Sequence, residues 1–173
     1  MTKRTIIAVE RLSSDSKSLY NLLNRESGLS VVLVGVGFLD ACLASLLERF
    51  FLKTSVAAKL LDGTKGALGS FASRSDTCYC LGLIEKSLYQ DLFILAEIRN
   101  LYAHHHLALN FAVTEVAQKC TELMYIARLK NGDAEEPLLA QKYFAHPRNR
   151  FVLSVVMISS RLMLTALGAK RVK

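Results

Sequence analysis

The sequence predicts an all-α fold, a single-domain helical bundle of about six to seven helices spanning residues 1–173. Three observations carry that prediction. Apolar residues recur at i, i+3, i+4 and i+7 in most of the chain. Only two prolines and nine glycines interrupt it, so long regular elements are sustainable. No alternating strand pattern of useful length appears, and there is no internal repeat or low-complexity segment.

Each helix has its own signal. "SSDSKSLYNLLNRE" opens on Ser and Asp capping candidates, and Leu19, Leu22 and Leu23 are expected on one face. The next helix is expected from Leu29 to Phe51. There Val32, Gly35, Val36, Leu39, Leu43, Leu46, Leu47 and Phe50 recur at helical spacing. Gly35 and Gly37 are poor helix formers that let another helix come close. "SVAAKLLDG" reads as a short helix closed by Gly63. "GALGSFASRSDTCYCLGLI" reads as a loop entering a further helix that ends at Gly82. "SLYQDLFILAEIRNLYAHH" follows, with Ser87 as the expected N-cap. In "FAVTEVAQKCTELMYIARL" one face collects Val113, Val116, Ala117, Cys120, Leu123, Met124 and Ala127. Residues 129–149 hold both prolines and the Asn131-Gly132 turn signal, a long connection with room for one helical turn. The last helix is expected from Arg150 to Gly168, within a C-terminal segment 150–173 that ends in the basic tail "AKRVK".

Composition narrows the function classes. Hydrophobic residues make up 51% and the mean hydropathy is positive. Helix packing, an oligomer interface or a membrane can each absorb that surplus. The greasiest run meets Asp40 well short of the roughly 20 apolar residues a bilayer requires. "FVLSVVMISSRLMLTALG" carries Arg161 at its middle. Both segments are therefore expected as buried helices of a cytoplasmic protein with no membrane partner. The net charge of +7 allows nucleic acid or another acidic partner without establishing one. Cys42, Cys78, Cys80 and Cys120 show no C-x-x-C pair and no zinc-finger spacing, so reduced, buried thiols are expected.

The stretch "EIRNLYAHHHL", Glu97 to Leu107, holds the candidate site. At about 100° per residue, Leu88, Leu92, Leu95, Arg99 and Tyr102 form one stripe, widened by Ile94, Ile98 and Leu101. Gln90, Glu97, Asn100 and His104 fall opposite. Arg99 then lies at a buried stripe and needs a carboxylate, a set of carbonyls or a phosphate. Asp40, on the greasy helix, is the first internal partner to test. His104, His105 and His106 do not make a metal site, because consecutive residues fan apart on a helix where ligand pairs need i, i+4 spacing. No metal or other cofactor is expected. Imidazoles at a helix C-terminus interact favourably with its dipole, which is the simpler account of them.

"EIRNLYAHHHLALNF", "AAKLLDGTKGALGSFASRSDTCYCLGLI" and "FLDACLASLLERFF" together resemble the mannitol operon repressor family over about Gly28 to Tyr125. The resemblance implies an all-helical protein and negative regulation of sugar-alcohol uptake. The Arg-to-His piece also resembles the wider HEPN domains, whose active members are metal-independent ribonucleases with an R-x(4–6)-H motif. That resemblance implies a catalytic set of Arg99, Asn100 and His104 at a cleft between two protomers. His105 and His106 fit the longer spacings. Glu97, Tyr102 and Asp40 are the possible supporting residues. His104 would then move protons and Arg99 steady the phosphate. On a straight helix the two point about 140° apart, so a joint site needs a helix end or a dimer.

The leading expectation is a regulator that works through a protein partner, possibly a DNA-binding one, rather than an enzyme. The runner-up is the ribonuclease. A conventional DNA-reading repressor is weakest, since no helix-turn-helix with an exposed polar recognition helix is visible. The hydrophobic surplus and the Gly35–Gly37 helix favour a homodimer.

Overall fold

The structure is a computed structural model that describes residues 12–25, 27–104, 109–124 and 143–172, with 12–16 by backbone only. Among the described residues there are seven helices and no strand, as the periodicity predicts. They are α1 (Leu12–Arg25), α2 (Gly28–Phe50), α3 (Ser55–Leu61), α4 (Phe71–Cys80), α5 (Lys86–His104), α6 (Thr114–Glu122) and α7 (Pro147–Gly168).

Helix α2 is the hub. It packs on α1, α3, α4, α5 and α7, and buries Val31, Val32, Val36, Leu39, Leu43, Leu46 and Leu47. Helix α7 runs beside it in the same direction. A Cβ placed on Gly35 would stand 3.3 Å from Val155 Cγ2 and 3.4 Å from Phe151 Cε1. Further on, the Val172 N–H donates to the Phe50 carbonyl at 2.9 Å. The expected close approach at Gly35 is therefore real, and it is made within the chain. Gly37 takes no part in it, for a Cβ there would meet nothing within 4 Å among the described residues. Both α2 and α7 are long and apolar enough to cross a membrane. Here they lie against each other, and Arg161 reaches the exposed side of α7.

Arginines of α7 close two other helices. Arg148 Nη2 donates to Leu23 O at 2.8 Å, at the end of α1. Arg150 Nη2 donates to Thr121 O at 2.9 Å and Leu123 O at 2.8 Å, where α6 leaves carbonyls unpaired. Helix α7 starts at Pro147, three residues before the expected Arg150. Proline suits a first helical position because its missing N–H would have had no partner there. The helical turn allowed for in the long connection is seen at 143–145, and residues 125–142, with Ala127, lie outside the described residues.

The 62–70 loop is tightly wound. Asp62 Oδ1 accepts from the Thr64 hydroxyl at 2.6 Å, the Thr64 N–H at 2.8 Å and the Lys65 N–H at 3.0 Å. Those donors, the hydroxyl first, hold its carboxyl down to about 2 from an ordinary 3.8. The chain then doubles back so closely that a Cβ on Gly66 would press on the Leu60 carbonyl oxygen and stand 2.6 Å from that of Lys59. Ser70 closes the loop by capping α4 in a reciprocal box with Ser73. Gly82, at φ +68°, turns α4 into α5 as predicted.

Three local expectations are corrected. Leu22 is 41% exposed while Leu19 and Leu23 are buried, because α1 rests on α2 and α7 along a narrower stripe. Ser87 is not an N-cap; α5 begins at Lys86, so Ser87 sits in the first turn and is buried. Cys42, Cys78 and Cys120 are buried and in no disulfide, but Cys80, the last residue of α4, is exposed. Burial pushes the Cys78 and Cys120 thiols up to about 12.

Two measurements check this packing. Gly35→Leu should destabilise the fold by about 1–3 kcal/mol in urea unfolding, since the added atoms meet Phe151 and Val155. The Asp62 contribution is present above pH 3.8 and lost as pH falls through about 2. Asp62→Ala should therefore flatten the acid-unfolding curve between those values and leave stability at pH 7 lower than in the parent.

Candidate functional site

The candidate residues lie on the second half of α5, and the helix does not bring them to one point. The buried face of α5 comprises Ser87, Leu88, Asp91, Leu92, Leu95, Ile98 and Tyr102. Its centre is rotated from the apolar stripe because Asp91, fully buried, belongs to it. Asp91 Oδ1 accepts the Met124 N–H at 2.9 Å just past the end of α6. With Ile98 turned inward, Arg99 moves about 60° off the buried centre and is half-buried. Its Nε and Nη2 donate to Asn100 Oδ1 at 3.3 and 2.9 Å.

The expected Arg99–Asp40 pair is not made. Asp40 belongs to Arg74, whose Nη1 donates to Asp40 Oδ1 at 2.6 Å while Nη2 donates to Leu61 O at 3.0 Å. Arg74 is 2% exposed, and its guanidinium joins α2, α3 and α4. Helix direction explains the partner. Tyr102 abuts Gly28, and Asp76 of α4 meets Tyr89 of α5 at 2.9 Å, so α5 runs antiparallel to both α2 and α4. That register leaves Asp40 about nine residues, or about 13.5 Å along the axis, from the level of Arg99.

The other members have separate duties. Glu97 Oε2 accepts from Lys119 Nζ at 2.8 Å, pinning α5 to α6, and that hydrogen bond raises the lysine's pKa. Tyr102 faces the core with its ring 5.7 Å from Phe111. Its hydroxyl is buried with no hydrogen-bond partner among the described residues, and burial first, then Cys120, pushes it up to about 12. Burial thus makes that phenol a weaker acid than an exposed tyrosine. His104 is the exposed last residue of α5, and no hydrogen bond joins it to Arg99 or Asn100 among the described residues. His105 and His106 lie outside the described residues.

Sequence reasoning missed Arg74 and Asp91. The signal for Arg74 was present: Phe71, Arg74, Ser75 and Cys78 share the i, i+3, i+4, i+7 face that α4 buries. No comparable signal marked Asp91, whose partner lies 33 positions away.

The model of the mannitol repressor family matches residues 15–168. The chain belongs to that family. A chain of the X-ray structure of the MtlR–HPr complex from Escherichia coli is 27% identical, with a TM-score of 0.68. That match covers 86% of the present chain and 98% of the other. No curated protein matches. Within the repressor family the fold therefore extends well beyond Gly28 to Tyr125, taking in α7 and most of α1. The ribonuclease expectation gains no support from either match.

A double-mutant cycle separates the two arginines. Arg74→Met should cost about 3–5 kcal/mol by removing the buried cation that faces Asp40, and Asp40→Asn should couple to it by about 1 kcal/mol or more. Arg99→Met should stay within about 0.5 kcal/mol of the parent and add independently to Asp40→Asn. Coupling between Arg99 and Asp40 would contradict the assignment.

Proposed function

We propose that this chain is a negative regulator of a sugar-alcohol operon of the mannitol type, and that it works by docking a protein partner of the HPr kind. The observation that carries the reading is the 98% coverage of a chain solved within the MtlR–HPr complex. Nearly all of that chain therefore has a counterpart in the present fold. The physical arrangement agrees with an interaction protein. The polar groups that suggested chemistry are engaged within the fold: Asp40 with Arg74 and Glu97 with Lys119 hold helices together, and Arg99 bonds its neighbour Asn100. Such a regulator would act in the cytoplasm as a homodimer. It would reach DNA through a partner, its +7 charge adding non-specific attraction to acidic surfaces.

Calorimetry with purified HPr, and a reporter under the operon's promoter, test this directly. The expectation is saturable HPr binding, reporter repression by the chain, and no sequence-dependent shift of operator DNA by the chain alone. A structured RNA incubated with the protein, with and without EDTA, should stay intact. Cleavage that Arg99→Met abolishes would replace the regulatory reading with the ribonuclease one.

A further inference from the structure

The topology gathers two kinds of exposed group at one end of the bundle. Helices α2 and α7 run in the same direction, and the Val172 N–H on the Phe50 carbonyl ties the segment after α7 to the end of α2. Helix α5 runs against α2, with Tyr102 beside Gly28, so the α4–α5 turn comes back to that same end. The path into α3 starts there too, just beyond Phe50. Three separate segments therefore meet where the two long apolar helices finish.

Each segment brings aliphatic groups and cations together. Leu52, Val56, Leu81, Leu167 and Val172 are all exposed, from 42% for Leu81 to 65% for Val56. Arg49, Lys53, Lys86, Lys170 and Arg171 are exposed among them, against the two carboxylates of Glu48 and Glu85. None of these five cations is in an ion pair among the described residues. Single exposed leucines are ordinary, but several grouped at one end form a patch that marks an interaction site. The fold accounts for Arg49, since a cation suits the C-terminus of α2. It does not account for Lys86, which stands in the first turn of α5, where the helix dipole disfavours a cation.

We propose that this end of the bundle docks on the surface of an anionic lipid bilayer. The chain stands end-on, its aliphatic groups enter the headgroup layer, and its cations meet the acidic headgroups. Helices α2 and α7 stay packed in the bundle, and neither crosses the bilayer. This goes beyond the regulatory reading and does not depend on HPr.

The combination of groups selects this occupant. A second copy would bring the same cations face to face. A nucleic acid would satisfy the cations but set its phosphates against the aliphatic groups. Protein interfaces are poor in lysine, and three of the five cations are lysines. A bilayer offers acidic headgroups with an apolar layer beneath them in any register, so it meets groups from three segments at once. Tyr79, stacked on Tyr89 at 4.7 Å, is also exposed close to the α4–α5 turn, and tyrosine is favoured at membrane interfaces.

Flotation with lipid vesicles tests it, with the melting temperature of each variant as the control for folding. The parent chain should float with vesicles of phosphatidylcholine and phosphatidylglycerol in equal parts, and stay behind with phosphatidylcholine alone. Lys53→Glu/Lys170→Glu should weaken binding about a hundredfold or more, since each cation near an anionic surface contributes about fivefold. Leu52→Gln/Leu167→Gln keeps the charge and should weaken binding about tenfold. Where either pair lowers the melting temperature, Arg171→Glu or Val172→Gln takes its place, both in the exposed segment after α7. Cys80 gives a second readout, because it is the exposed thiol beside the α4–α5 turn while Cys42, Cys78 and Cys120 are buried. A polarity-sensitive dye on Cys80 should shift to the blue on the anionic vesicles and not on the neutral ones. A folded parent that ignores anionic vesicles overturns the proposal. So does binding indifferent to the lysine pair, or binding without a shift at Cys80. Binding that the leucine pair leaves intact is adhesion by charge alone and overturns it too. Equal affinity for duplex DNA of arbitrary sequence would then assign this end to nucleic acid.

Discussion

The Arg74–Asp40 pair is the constraint on which the rest of the structure depends. Helix α2 is wrapped by five others, and a bare carboxylate at its midpoint would make that burial prohibitive. Arg74 lifts the objection with one short charged hydrogen bond and uses its other terminal nitrogen on the carbonyl of Leu61. The same guanidinium thereby fixes where α3 ends and where α4 lies. The tight 62–70 loop is the consequence, because the chain must turn from the end of α3 into α4 within nine residues. Gly66 and the Ser70 box are what make that short path possible. Buried pairs of this kind add less to stability than their geometry suggests, but removing one partner is costly. Their value here is in register: Asp40 accepts one α4 placement and rejects its neighbours one turn away.

Much of this fold was legible in the sequence, and the parts that were not have a common cause. Periodicity placed α2 to within a residue, because fifteen apolar positions leave few other arrangements. It placed the α4–α5 turn through Gly82, where only a positive φ closes the helix. It failed wherever a polar side chain occupies the interior. Taking Ser87 as an N-cap and leaving Asp91 out of the stripe centred the apparent face of α5 nearer Arg99 than Ile98. That rotation made Arg99 look buried and in need of Asp40. Periodicity weighs each side chain by its own polarity, whereas burial depends on whether a distant group satisfies it. Met124 N–H and Arg74 are such groups, 33 and 34 positions away from their acceptors.

The R-N-x3-H string shows how one sequence pattern serves two chemistries. Arg99 and Asn100 satisfy each other at the half-buried edge of α5, and His104 ends the helix where a cation suits the exposed carbonyls. Each residue has a local role that requires no substrate. Family membership over residues 15–168 then supplies the functional context that the string alone does not.

An interaction protein must solve a problem that an enzyme can ignore: it has to keep apolar surface available without aggregating. The exposed apolar residues here are not evenly spread. On α2 they form a line without solvent-facing charge, whereas on α5 Phe93 stands near Gln90 and Glu97 on the same helix. Charges beside an isolated apolar residue make adhesion unspecific and weak. A charge-free line ending at the basic Arg49 and acidic Glu48 is different, because whatever docks must match its length and its gap at Gly37. The run from Gly28 to Leu47 thus leaves apolar surface with no charge beside it, because Arg74 takes up the one charge it contains.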